Sequence, residues 1–150
     1  DVAMAHVLAM TIPSFFTGHL IIRFGTKPII IFGFVLLLTA AVIGTRETEL
    51  INFFGALVLL GLGWNFSFIG STSLLATNHD PSEKGKAQGM NDMFVFGFVA
   101  LASLTSGGMI NCSSGDIHEG WPLISMSIFP LTIIAIIALS FLNWNYIKTL

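Results

Sequence analysis

Charge is what this chain most lacks. Only 9% of its 150 residues are Asp, Glu, Lys or Arg, against about 25% in soluble domains. The six basic side chains are scattered, so no basic patch invites nucleic acid, and the formal charge of −2 singles out no partner. Cysteine is nearly missing. Cys112 alone excludes a disulfide framework within the chain and a multi-cysteine metal site; it reads as a small apolar residue at a helix end. The four histidines, at positions 6, 19, 79 and 118, show no HExxH spacing. His79 adjoins Asp80, but in a stretch that reads as loop. With no nucleophile–base pair and no metal-ligand cluster, the sequence calls for no cofactor and gives an enzyme little to work with. The short alternating segments of a membrane barrel are also missing.

What is present is apolar. Hydrophobic residues make up 54% of the chain and the mean hydropathy is +0.86. Five apolar stretches stand out, at 3–22, 29–44, 50–76, 90–112 and 121–142. A hydrocarbon core of ~30 Å takes about 20 helical residues to cross, and the second, shorter stretch can manage with snorkelling ends. Backbone groups in lipid must be satisfied within their own segment, so helices are expected. The fold class is therefore an all-α integral membrane protein with five transmembrane helices. Asp1 is followed by no charged n-region and no cleavage site, so the first stretch is not a signal peptide. The chain is expected to be a piece of a longer protein, with an odd number of spans upstream.

The loops orient it. One set of alternate segments carries Arg23, Lys27, Lys84, Lys86 and Lys148, the other only Arg46. The positive-inside rule puts the first set, and with it the C-terminus, in the cytoplasm. Trp121 at one edge of the last span, and Trp144 and Tyr146 at the other, suit the aromatic belts of a bilayer. Before the fourth span, Asp80, Pro81 and Glu83 read as N-cap, first helical residue and the far end of a capping box.

Polar residues divide the spans. The first has His6, Met10, Pro13 and Thr17 on one face, with Ser14 beside them, and Pro13 is expected to bend it. The third is the most polar. Asn52, Gly63, Ser67 and Gly70 share one face with Ser71 at its margin, and Gly61, Asn65 and Thr72 share the opposite one. A helix with small or polar residues on two sides is not expected to face lipid. Gly63, Ser67 and Ser71 form a ridge for close helix approach. The fourth carries a stripe of Asp92, Phe96, Val99, Ser103 and Ser106. The second offers only Thr39 near its middle. The fifth has Ser125, Ser127 and Thr132, hydroxyls that can bond their own helix. Spans one, three and four are thus expected at a central cavity, and spans two and five towards lipid.

The run from Gly18 to Lys27, with Gly18, Arg23, Gly25 and Lys27 in place, resembles the loop signature G-x-x-x-D-R-x-G-R-K of the major facilitator superfamily. Ile22 stands where that family has aspartate, and Thr26 where it has arginine. The run Pro81-Ser-Glu83-Lys-Gly85-Lys86-Ala-Gln-Gly89 is similar to one that precedes the family's fifth or eleventh helix. The resemblance implies helices eight to twelve of a twelve-helix transporter: the C-terminal half lacking its first helix. It also implies that helices eight, ten and eleven line the cavity while nine and twelve are peripheral.

The function this suggests is secondary transport of a small solute by alternating access, driven by a proton gradient or by the solute's own. The alternatives are a non-transporting assembly subunit and an intramembrane enzyme. The expected partners are the solute, the bilayer and the missing N-terminal half; the expected location is a cell membrane, the inner membrane of a bacterium. Candidate cavity residues are His6, Thr17, Trp64, Asn65 and Ser103. Candidate coupling or gating residues are Asp92, Arg23 and Glu83, with Arg23 expected near Glu83 or Asp80. Several have a plainer reading. Asn65 and Trp64 would suit interhelical bonding and packing, Asp92 a bond to Asn91, Gln88 or a neighbouring helix, and His6 solvation near the outer boundary. Arg23, Lys27 and Lys86 would suit topology alone.

Overall fold

Pro13 shapes the first helical segment. Proline has no N–H, and its ring crowds the carbonyl four residues back. The chain accordingly divides into α1 (Val2–Thr11) and α2 (Ser14–Phe24). Across the break, Phe15 N–H reaches only Ile12 O, at 3.3 Å, while Thr17 N–H bonds Pro13 O at 2.8 Å. Gly25 ends α2 at φ 89° and ψ 162°, a region of backbone space that is essentially glycine's alone. The loop-motif glycine is thus the residue that turns α2 into α3 (Thr26–Gly44). After it come α4 (Leu50–Thr77), α5 (Lys84–Cys112) and α6 (Ile117–Lys148).

This computed structural model describes residues 2–45, 49–112 and 117–148, with the side chains at 110, 117–119 and 142–148 outside that description. Among the described residues all regular structure is helical. Five segments are long and apolar enough to cross a bilayer: Val2–Phe24, Thr26–Gly44, Leu50–Thr77, Lys84–Met109 and Gly120–Phe141. Arg46 and the side chains of His118, Trp144, Tyr146 and Lys148 lie outside the described residues.

Helix α4 is the centre of the packing, and its two small-residue faces explain why. On one face, Gly61 meets α1 so closely that an added Cβ would lie 2.7 Å from His6 O and 3.0 Å from Ala9 Cβ. On the other, Gly63, Ser67 and Gly70 meet Leu37, Gly33 and Ile30 of α3. A Cβ on Gly63 would lie 2.9 Å from Gly33 O, and one on Gly70 would lie 2.6 Å from Ile30 Cγ1. The seam runs Gly63–Ser67–Gly70, not Gly63–Ser67–Ser71, and Ser71 is exposed. Steps of four and three average 3.5 residues, the period that keeps one helix face on its neighbour; two steps of four drift off it.

The seam also shows what the second span packs on. Helix α3 buries Ile29, Ile30, Gly33, Ala40, Ala41 and Gly44, while Ile31, Phe32, Val35 and Val42 on it are exposed. An apolar run looks the same in sequence whether lipid or another helix covers it. Its far end meets α6, where a Cβ on Gly44 would lie 2.5 Å from Ser125 Oγ. Phe53 of α4 and Trp121 of α6 pack with ring centroids 4.7 Å apart. The hydroxyls of α6 bond their own helix as expected: Thr132 Oγ1 donates to Ile128 O and Ser127 Oγ to Ile124 O.

The capping box does not form. The Asp80 carbonyl accepts from Glu83 N–H at 2.9 Å and Lys84 N–H at 3.1 Å. Residues 81–83 make a turn before α5 opens at Lys84, and the Glu83 N–H that the Asp80 carboxylate would cap is taken by the Asp80 carbonyl.

Candidate functional site

The proline break creates a chemical demand. A helix carbonyl near such a break loses its N–H partner and, in an apolar setting, needs another. Asn65 of α4 meets it. Its Nδ2 donates to Met10 O at 2.6 Å and to Ser14 Oγ at 2.7 Å. Its Oδ1 accepts from Thr17 Oγ1 at 2.8 Å. The amide is held this way round because the Met10 carbonyl can only accept. Thr17 Oγ1 has one proton and two acceptors in range, Asn65 Oδ1 and Pro13 O, both at 2.8 Å. Asn65 and Thr17 are 2% and 0% exposed. This network is the polar clamp between the broken first segment and α4.

One turn away the same two helices make a second contact. His6 Nδ1 lies 2.6 Å from Leu57 O. A carbonyl only accepts, so Nδ1 carries the proton and, in the neutral ring, Nε2 is bare.

Above this contact a cleft of about 320 Å³ opens between helices. It is lined by His6 and Met10 of α1, Leu37 of α3, Leu60 and Trp64 of α4, and Phe96 and Val99 of α5. Two of its walls are aromatic. Trp64 stacks on Phe68 with centroids 5.7 Å apart and planes 7° apart. Phe68 in turn meets Phe96 at 6.3 Å and 57°, joining α4 to α5. The cleft lies within the size range of small-molecule sites and shares their mainly apolar lining.

The residues singled out in the sequence thus fall into separate places. His6 and Trp64 line the cleft. Asn65 and Thr17 lie behind it in the clamp. Ser103 is exposed on α5 and donates to Val99 O at 2.9 Å. Asp92 Oδ1 accepts from Gln88 Nε2 at 2.7 Å and from Asn91 Nδ2 at 3.3 Å, so its described bonds stay on its own helix. Arg23 lies over the Phe24 ring at 5.4 Å. Among the described residues no ion pair joins it to Asp80 or Glu83, both exposed. Of the loop-motif residues, Gly25 makes the turn, Gly18 stands open with nothing within 4 Å of an added Cβ, and Lys27 lies in the first turn of α3. The sequence did not mark Leu37 and Leu60, because a leucine in a span carries no sign of what it faces. Nor did it mark the carbonyls of Met10 and Leu57, whose availability depends on helix geometry.

Comparisons with known proteins converge. A family model described as Major Facilitator Superfamily matches residues 2–146. The riboflavin transporter RfnT of Brucella anthropi is 45% identical over 134 residues, covering 89% of this chain and 32% of that protein. Two uncharacterized MFS-type transporters of Bacillus subtilis, YdeG and YddS, are 34% and 32% identical over 82% and 81% of this chain. The chain spans about a third or less of the length of these relatives. No solved structure matches it.

Proposed function

Since the chain belongs to the Major Facilitator Superfamily, a family of membrane transporters, we propose that it is the C-terminal part of a secondary transporter for a planar aromatic solute of the riboflavin class. The observation that carries this reading is the cleft with Trp64 and Phe96 in its wall. A flat conjugated ring gains most from offset or edge contacts with other aromatic rings, and an apolar lining favours its transfer out of water. The likeness to RfnT, at 45% identity, favours the same class.

In this reading the segments are helices eight to twelve, with α1, α4 and α5 on the solute pathway. The spans are those set out from the sequence, the loops at 23–27 and 78–89 are cytoplasmic, and the membrane is the inner membrane of a bacterium. His6 and Trp64 contact solute directly. Asn65 and Thr17 act behind them by holding the break at Pro13, where a helix can flex as the two halves of the transporter rock. Asp92, free of any described bond beyond its own helix, is available to a group on the N-terminal half as a coupling or gating contact. Arg23 and Glu83 serve a cytoplasmic gate in another state of the cycle. Transport, rather than enzymatic or purely structural work, is the role.

Uptake of labelled riboflavin into proteoliposomes holding the complete protein tests this. Saturable uptake that excess flavin blocks is expected, and an imposed pH gradient that raises its rate identifies proton coupling. Absence of saturable flavin uptake, with a structurally unrelated solute transported instead, overturns the substrate class. Absence of any transport favours an assembly subunit.

A further inference from the structure

The cleft is lined by apolar side chains apart from two, and one of these has a fixed tautomer in its neutral form. His6 Nδ1–H is committed to Leu57 O at 2.6 Å. The second ring nitrogen, Nε2, has no hydrogen-bond partner and is not fully buried, and its ring lines the cleft. The neutral imidazole therefore presents an acceptor, not a donor. The other is Trp64, whose indole N–H is a donor only. The remaining lining side chains (Met10, Leu37, Leu60, Phe96 and Val99) bear no titratable group.

We propose that His6 Nε2 is a specificity-determining acceptor, which selects planar solutes carrying an N–H at the ring edge over those in which that position is alkylated. This rests on the flavin reading above and adds to it the edge of the ring system that is read. An N–H entering an apolar cleft loses its water, so without a protein acceptor its burial is costly. With His6 the loss is made good by one bond. A solute lacking the N–H leaves Nε2 unpaired instead, and discrimination follows from that asymmetry.

Two substitutions separate the ring's two nitrogens. In His6→Asn the amide N–H can take the place of Nδ1–H on Leu57 O, while nothing replaces Nε2. In His6→Gln the amide reaches the position of Nε2 and its oxygen can accept. The measurement is binding of riboflavin and of N3-methylriboflavin, which lacks the imide N–H, to the complete purified protein by quenching of flavin fluorescence. The wild type should prefer riboflavin by roughly five- to tenfold. His6→Asn should weaken riboflavin binding until the two flavins bind alike, and His6→Gln should keep much of the preference. A preference that persists in His6→Asn comes from the bulk of the methyl group and overturns the assignment. So does a wild type that binds both flavins equally, although the flavin reading then stands. A wild type that binds neither flavin overturns both together.

Discussion

Asn65 satisfies three partners at once, and that makes it a structural residue before it is anything else. Removing its amide leaves the Met10 carbonyl, Ser14 and Thr17 to find other partners in a buried place. An unpaired buried group costs about 1–3 kcal/mol. Asn65→Ala should therefore lower the melting temperature of the purified protein in detergent, and Thr17→Val should lower it less, because Nδ2 keeps its bonds to Met10 and Ser14. An unchanged melting temperature in Asn65→Ala would show that the clamp contributes nothing. That Asn65 and Thr17 would need partners was legible in the sequence, since polar side chains at membrane depth are costly without them. Their direction was not. Trp64 and Asn65 are neighbours in sequence, but successive helical residues point roughly 100° apart. One can line the cleft while the other turns to the clamp behind it.

At the scale of elements, the contact between α3 and α4 depends on the absence of side chains. An added Cβ at Gly63 would meet Gly33 O and the Leu37 side chain at 2.9 Å, so room could come only from separating the helices. An added Cβ at Gly55, on the same helix, meets nothing within 4 Å. The same substitution should then have opposite signs at the two positions. Gly55→Ala should stabilise by about 0.5–1 kcal/mol, through the lower entropy cost of ordering alanine in a helix. Gly63→Ala should destabilise by about 1–3 kcal/mol through overpacking. Thermal unfolding of both variants checks this, and equal effects would count against the seam. Ser67→Ala should be neutral or mildly stabilising, because Ser67 Oγ is buried without a partner. The five-helix class was legible because run length and low charge constrain it strongly. The burial of α3 was not, although Gly33, Ala40, Ala41 and Gly44 were a faint sign. Small residues mark close approach only once a partner helix is known to lie opposite.

Over the whole molecule, much apolar surface stands open. Phe15 is 78% exposed and Ile22 86%, and no residue of α5 from Lys84 to Met109 is buried. In the proposed transporter, lipid covers part of this surface, and the first helix of this half and the N-terminal half cover the rest, with the cleft facing the pathway between the halves. That placement is the central claim, and it is tested most directly by flavin affinity in the complete protein with one aromatic residue removed at a time. Trp64→Leu takes away a cleft wall, whereas Phe54→Leu removes a ring of the same helix that does not line the cleft. Loss of ring contacts worth about 1–2 kcal/mol should weaken riboflavin binding roughly tenfold in Trp64→Leu, with Phe54→Leu binding as the wild type does. Wild-type affinity in Trp64→Leu, or an equal loss in both variants, would contradict a solute site in this cleft.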